Sequence, residues 1–174
     1  MDYDLIFGES GAEYLGPDAD ELSAELNGIL KEKKLTVATA ESFTAGRIAS
    51  AIIKTPGASA VFKEGIVAYS NESKVKRLGV SEKTLEKSGA VSKECCAEML
   101  SGLIKGSGAE VAISSTGIAV PKSDDTKKPV GLCFIGIAAE KRFYIYKFIF
   151  EGDRETITET AVRAAFHIAI SRLK

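Results

Sequence analysis

Apolar positions recur along this chain with two different periods. In "DADELSAELNGILKEKK" Leu22, Leu26, Ile29 and Leu30 fall on one side of a helix. "SKECCAEMLSGLIKGSG" places Cys96, Met99, Leu100, Leu103 and Ile104 at i, i+3, i+4, i+7 and i+8, with Ser92 as the N-cap. A final helix begins near Asp153 and presents Ile157, Ala161, Ala164, Ala165 and Ile168 on one face. "TAGRIASAIIKT" predicts a shorter helix carrying Ile48, Ala51 and Ile52, and small helical pieces are expected around Asn71 to Arg77 and Ser81 to Lys87. Between these segments lie the strand-like runs "LTVATA", "GIVAYS", "EVAISST", "VGLCFIGIAA" and "RFYIYKFIF". Pro56-Gly57 breaks the chain, and Glu140-Lys141 is placed to close a hairpin between the last two strands.

"EVAISST" and "VGLCFIGIAA" are continuously apolar rather than alternating, as strands are when helices cover both faces of their sheet. Helices separate most of the strands, while the last two adjoin. The pattern predicts a three-layer α/β/α sandwich with a mixed, mostly parallel central sheet. One domain is expected over residues 18–174, preceded by an N-terminal tail over residues 1–17. Leu5, Ile6 and Phe7 make that tail too apolar for a free arm, so it is expected to dock on its own or a partner subunit. Together with the small residues Ala161, Ala164, Ala165 and Ala169 on the last helix, it leads to the expectation of a homodimer.

Composition narrows the function classes. A chain of 174 residues fits one domain, and 27% charged with 45% hydrophobic residues is a soluble, globular balance. A formal net charge of −1 argues against electrostatic docking on nucleic acid or anionic membrane. No apolar run approaches the ~20 residues of a membrane span, and "MDYD" does not read as a signal peptide. Three cysteines, two adjacent, make neither a disulfide framework nor a zinc site, and no His/Cys/Asp cluster is placed to hold a metal. The expectation is a cytoplasmic protein that needs no metal or redox cofactor.

Ligands of α/β sheets collect outside the carboxyl ends of strands. Four such ends carry polar groups: "TAESFTAG", "YSNESK", "STGIAVP" and "EGDRE". Each admits an ordinary reading, in which Ser42 caps a helix, Asn71 and Ser73 cap the next, Thr116-Gly117 form a turn, and Asp153 caps the last helix. The groups are also chemically complementary. Ser42 is a nucleophile in need of a base. The one histidine, His167, lies in the C-terminal half of the last helix, whereas Lys74 and Tyr69 follow the second strand. A desolvated lysine can lose its proton and act as that base. N–H groups at the start of the helix after Ser42 suit an oxyanion. Arg154 suits a phosphate, or else is an exposed helix-start residue paired with Glu151 or Asp153. Read this way, the four ends describe an acyl-transferring hydrolase for an anionic substrate.

The segments "TAESFTAGRIASAI", "TPGASAVFKEGIVAYSNESKVKRLGVSEKTLEKSGAVSKE", "ISSTGIA", "KPVGLCFIGIA" and "FEGDRETI" closely resemble, in order, the C-terminal domain of the CinA (competence/damage-inducible protein) family. The resemblance implies a nicotinamide-nucleotide amidohydrolase, which converts nicotinamide mononucleotide to nicotinate mononucleotide and ammonia. It implies Ser42, Tyr69 and Lys74 as the catalytic set, and Thr44, Gly46, Thr116, Gly117 and Arg154 as contacts to a pyridine mononucleotide. "DYDLIFGE" looks like the tail that precedes this domain in longer CinA proteins, and the chain is similar to the stand-alone deamidase.

Two departures from the family pattern bear on activity. Phe43 and Ala45 stand where the family has Cys and a second Gly, which adds bulk beside the nucleophile and removes freedom for positive φ. The family's glycine-rich third loop reads "GIAVPKSDD" here, with Val120, Ser123 and the acidic Asp124-Asp125, and Lys122 and Lys127 as compensating cations. The alternatives are therefore a nucleotide sensor or scaffold without turnover, and a hydrolase of another amide. The role of Glu41 is open between orienting the site and pairing with a neighbouring cation.

Overall fold

The computed structural model describes residues 3–8, 14, 16–119 and 127–174. Val120, Lys122, Ser123, Asp124 and Asp125 of the divergent loop lie outside the described residues. Six strands form one sheet in the order β1-β6-β5-β4-β2-β3. They are β1 (Asp4–Phe7), β2 (Val37–Glu41), β3 (Phe62–Val67), β4 (Val111–Gly117), β5 (Leu132–Ala139) and β6 (Arg142–Ile149). The helices are α1 (Ala19–Lys33), α2 (Arg47–Lys54), α3 (Asn71–Leu78), α4 (Glu82–Ser88), α5 (Lys93–Ser107) and α6 (Arg154–Leu173). Only β5 runs against its neighbours, so the sheet is mixed and mostly parallel.

Two apolar cores flank the sheet, which makes the domain three-layered. On one side Leu22, Leu26 and Leu30 of α1, Ile48 and Ile52 of α2, and Ile157, Ala161 and Ala165 of α6 pack on Val37, Ile113, Ile135 and Phe148. On the other side Cys96, Met99, Leu100 and Leu103 of α5 and Leu78 of α3 pack on Ala38, Ala40, Ala112 and Ile145. The stripes expected from the sequence are the faces that these helices bury. β4 and β5 are buried along almost their whole lengths, as their unbroken apolar runs require.

The β5–β6 hairpin is closed by Glu140 and Lys141 at φ 52° and 63°, between the paired Ala139 and Arg142. Two consecutive residues with positive φ match the twist of the strands they join.

The apolar tail is a strand of its own chain. Asp4 to Phe7 pair in parallel with Tyr144 to Lys147 of β6, completing the sheet edge. Ala161, Ala164, Ala165 and Ala169 are likewise buried within the chain. The four alanines are thus taken up inside one subunit, as are Leu5 and Ile6 in part, whereas Phe7 of the tail strand stays 70% exposed.

Since β4 is parallel to β2, and β6 is antiparallel to β5 as β5 is to β4, the exits of β2, β4 and β6 share one edge of the sheet. The segments that follow β2, β3, β4 and β6 are the four strand ends singled out above.

Candidate active site

Strand β2 ends in a buried carboxylate, and what that carboxylate holds determines the turn that follows. Glu41, 1% exposed, accepts from the N–H groups of Gly46 (3.0 Å), Ile48 (3.1 Å) and Ala49 (2.8 Å) and from the Thr44 hydroxyl (2.8 Å). Thr44 Oγ1 also lies 2.6 Å from Ser115 Oγ on β4. Glu41 therefore neutralises the positive end of α2 from the strand before it. This fixes its role as orienting the turn, with no cation among its described partners.

The same geometry revises the expected helix start. Ser42 does not cap α2. The cap position is Gly46, at φ 90°, preceded by Ala45 at φ 54°. The N–H groups at the helix start are spent, those of Gly46, Ile48 and Ala49 on Glu41 and that of Arg47 on Thr44 O, so the oxyanion role expected of them is not open to them. Ser42 stands in a tight turn between strand and helix, its N–H donating to Ser115 O at 3.0 Å.

Lys74 of α3 reaches back to that turn. Its ammonium is surrounded by three oxygens: Ser42 Oγ at 3.0 Å, Ala68 O at 2.7 Å and Tyr69 O at 3.1 Å. Lys74 is 1% exposed and Ser42 8%. Burial pulls the Lys74 pKa below its ordinary value, and the nearby Cys95 opposes this only in part. A charged lysine donates to all three oxygens. A neutral one needs only two donors for the two carbonyls, and its lone pair then faces the Ser42 hydroxyl. The surroundings thus accept the neutral amine without rearrangement. Ser70 caps α3, accepting from Ser73 N, in place of the expected Asn71 and Ser73.

The other thiols and hydroxyls nearby are not competing nucleophiles. Burial pushes Cys95 up to about 11 and Cys96 up to about 12. Thr116 Oγ1 donates to Ala90 O at 2.7 Å, and Lys128 Nζ donates to Ser88 O and Val91 O at 2.6 Å each. Together they hold the Ser88–Val91 turn against the ends of β4 and β5.

The expected site residues are thus brought together selectively. Ser42 and Lys74 are in contact. Tyr69 contributes its main-chain carbonyl to Lys74, while its side chain is 66% exposed. Lys74 therefore meets Ser42 directly, with no tyrosine hydroxyl between them. The Thr44 hydroxyl, Gly46 N–H and Thr116 hydroxyl, expected as substrate contacts, have partners within the protein. Gly117 ends β4 rather than forming a turn, and a side chain there would strike Cys133 Cβ at 2.7 Å and the Phe43 ring at 3.0 Å. Phe43 is buried in the core with α1, α2 and α6, so its bulk is taken up by packing rather than crowding Ser42.

Arg154 opens α6 on the same edge and is exposed. Asp153 caps the helix by accepting from Thr156 N, and Arg47 of α2 grips Glu155 with two bonds of 2.7 Å. Arg154 has no ion pair with Glu151 or Asp153, nor with any other described residue. The Arg47–Glu155 pair ties the beginnings of α2 and α6 together beside it. Lys127, the described cation of the divergent loop, is exposed. Sequence reasoning missed Lys128 altogether; its place in the "KKPVG" run gave no sign of its two carbonyl partners.

The family model of the CinA C-terminal domain matches residues 19–173. A CinA-like protein of Endomicrobium trichonymphae is 47% identical over 158 residues, covering 91% of this chain. The chain spans only 37% of that relative's length. Among solved structures, the competence damage-inducible protein A from Klebsiella pneumoniae subsp. pneumoniae superposes with a TM-score of 0.87 at 32% identity, covering 90% of this chain and 98% of that one. The competence/damage inducible protein of Agrobacterium tumefaciens gives 0.86 at 34%, covering 91% and 97%. No helix of the described residues is long and apolar enough to cross a membrane. With a matching family model over nearly its whole length, this chain belongs to the CinA C-terminal domain family.

Proposed function

We propose that this chain is a serine–lysine amidohydrolase that removes ammonia from the carboxamide of a pyridine mononucleotide, converting nicotinamide mononucleotide to nicotinate mononucleotide. The observation that carries the reading is the buried Lys74 Nζ, 3.0 Å from Ser42 Oγ, with its two other neighbours main-chain carbonyls. Neutral Lys74 accepts the Ser42 proton as Oγ attacks the carboxamide carbon. The resulting ammonium returns that proton to the departing nitrogen, so ammonia leaves and an acyl-serine remains. Water then attacks the ester with Lys74 again as base, releasing the carboxylate and regenerating Ser42. Arg154 takes the phosphate, an assignment supported by its exposure, its place on the same sheet edge and the absence of a carboxylate partner among the described residues.

Ammonia release from nicotinamide mononucleotide tests the proposal. The wild-type protein should turn over without added metal, and Ser42→Ala should lower the rate at least about 10³-fold while keeping the fold. Release by Ser42→Ala at near wild-type rate would contradict the nucleophile assignment. Tight nucleotide binding by the wild type without any release would favour a sensor, and release from simple amides in preference to the nucleotide would favour another amide substrate.

A further inference from the structure

The turn that presents Ser42 contains two main-chain donors with no acceptor among the described residues. Its N–H groups can be followed one by one. Ser42 N donates to Ser115 O, Ala45 N to Ser42 O, and Arg47 N to Thr44 O. Gly46, Ile48 and Ala49 donate to the Glu41 carboxylate. Phe43 N and Thr44 N meet no acceptor among the described residues, although Phe43 is 6% exposed and Thr44 is fully buried. Buried main-chain N–H groups are nearly always paired, because leaving one unpaired costs about as much as a lost hydrogen bond. Two in succession, immediately after the serine that touches Lys74, are donors that a bound ligand could use.

We propose that the N–H groups of Phe43 and Thr44 form the oxyanion site of this protein, receiving the carboxamide oxygen as it becomes negative. The proposal rests on the amidohydrolase reading and adds to it the groups that stabilise its charged intermediate. Attack by Ser42 Oγ on the carbonyl carbon moves the π electron pair onto that oxygen. The proton lost by Oγ goes to Lys74, and the oxygen regains its double bond when ammonia leaves. Donors fixed in place before the reaction stabilise the intermediate more than the substrate. Glu41 is the positioning residue: by holding the first turn of α2 and the Thr44 hydroxyl, it fixes the turn while taking up neither of these two N–H groups. The carboxylate also prevents the helix start from serving as a rival anion site.

Replacing Phe43 by phenyllactic acid turns its amide into an ester, which deletes that N–H and keeps the ring in the core. We expect kcat for ammonia release to fall about 100-fold, with KM and the pH dependence set by Lys74 unchanged. An ester variant that stays within threefold of the wild-type kcat overturns the proposal. Amide resonances of the unmodified protein supply the second measurement. Pyridine-3-aldehyde mononucleotide adds to a serine hydroxyl as a hemiacetal, whose oxygen stands in for the oxyanion. The Phe43 and Thr44 amide protons should move downfield on its addition, and absence of movement at both overturns the proposal. A wild type that forms this adduct with both shifts yet releases no ammonia keeps the donor pair and contradicts the amidohydrolase reading instead.

Discussion

The exits of β2 and β6 lie on one edge of the sheet and start their helices by opposite means. At the first, the carboxylate of Glu41 reaches forward from the strand and takes up the N–H groups of α2 in a buried setting. At the second, Asp153 caps α6 locally, accepting from Thr156 N at the surface. The first exit is buried and internally bonded, and it holds Ser42. The second is solvated and leaves Arg154 without a carboxylate partner among the described residues. On the proposed reading, burial suits the group that loses a proton, and exposure suits the group that meets an anion arriving from water.

The sharpest way to break this contrast is to remove the buried cap. Glu41→Ala leaves three N–H groups and a hydroxyl without their acceptor, and should cost about 3 kcal/mol or more, since bonds to a charged acceptor contribute ~1.5–3 kcal/mol each. In a urea titration the midpoint should drop accordingly. The matching change at the other exit, Asp153→Ala, should lower the midpoint far less, because that cap is made at the surface with water as an alternative partner. Equal losses at the two exits would remove the distinction.

Arg154→Ala probes the second exit through binding. It should raise KM for nicotinamide mononucleotide by about one to two orders of magnitude, in line with the ~1.5–3 kcal/mol of a charge-assisted hydrogen bond. The KM of nicotinamide riboside, which lacks the phosphate, should hardly change. A similar loss on both substrates would place Arg154 on the amide or on folding, and no loss on either would pass the phosphate to another cation.

How far the sequence foretold these exits depends on which interactions are local. Helix stripes, the buried strands and the Glu140-Lys141 hairpin were readable because each follows from neighbours in the chain. Ser42 and Lys74 were readable as a pair through the resemblance and through their chemistry. The tail strand was not, because four residues of "DLIF" have no period and acquire their conformation from β6. Nor was the function of Glu41 readable, since its partners lie three to eight residues onward in a turn whose shape it helps to create. The resemblance implied Tyr69 in the catalytic set and Thr116 as a substrate contact, and neither implication says which atoms of these residues the fold itself uses. In the fold, Tyr69 serves Lys74 through its carbonyl, and Thr116 serves the Ser88–Val91 turn.

The smallest expected effect is at Ala45. Its φ of 54° lies in the left-handed region, which costs a residue with a Cβ about 1–2 kcal/mol, offset by roughly 0.5–1 kcal/mol of entropy when glycine takes its place. Ala45→Gly, which restores the family's residue, should therefore stabilise the protein by about 0.5–1 kcal/mol, read as a small rise in Tm. A fall in Tm would mean that the turn is not held in this conformation.

The central claim is that neutral Lys74 takes the proton of Ser42, and the pH dependence of a single turnover tests it most directly. Burial depresses the Lys74 pKa below its ordinary 10.5, so the competent base is lost as pH falls through the depressed value and is fully present above it. Rapid-quench measurement of acyl-serine formation from nicotinamide mononucleotide should give a rate that climbs with pH along one ionisation below 10.5 and then levels. In Lys74→Gln that ionisation and nearly all of the rate should vanish together. A wild-type profile with no such ionisation, or a Lys74→Gln protein that acylates at near wild-type rate with the same profile, would contradict the account.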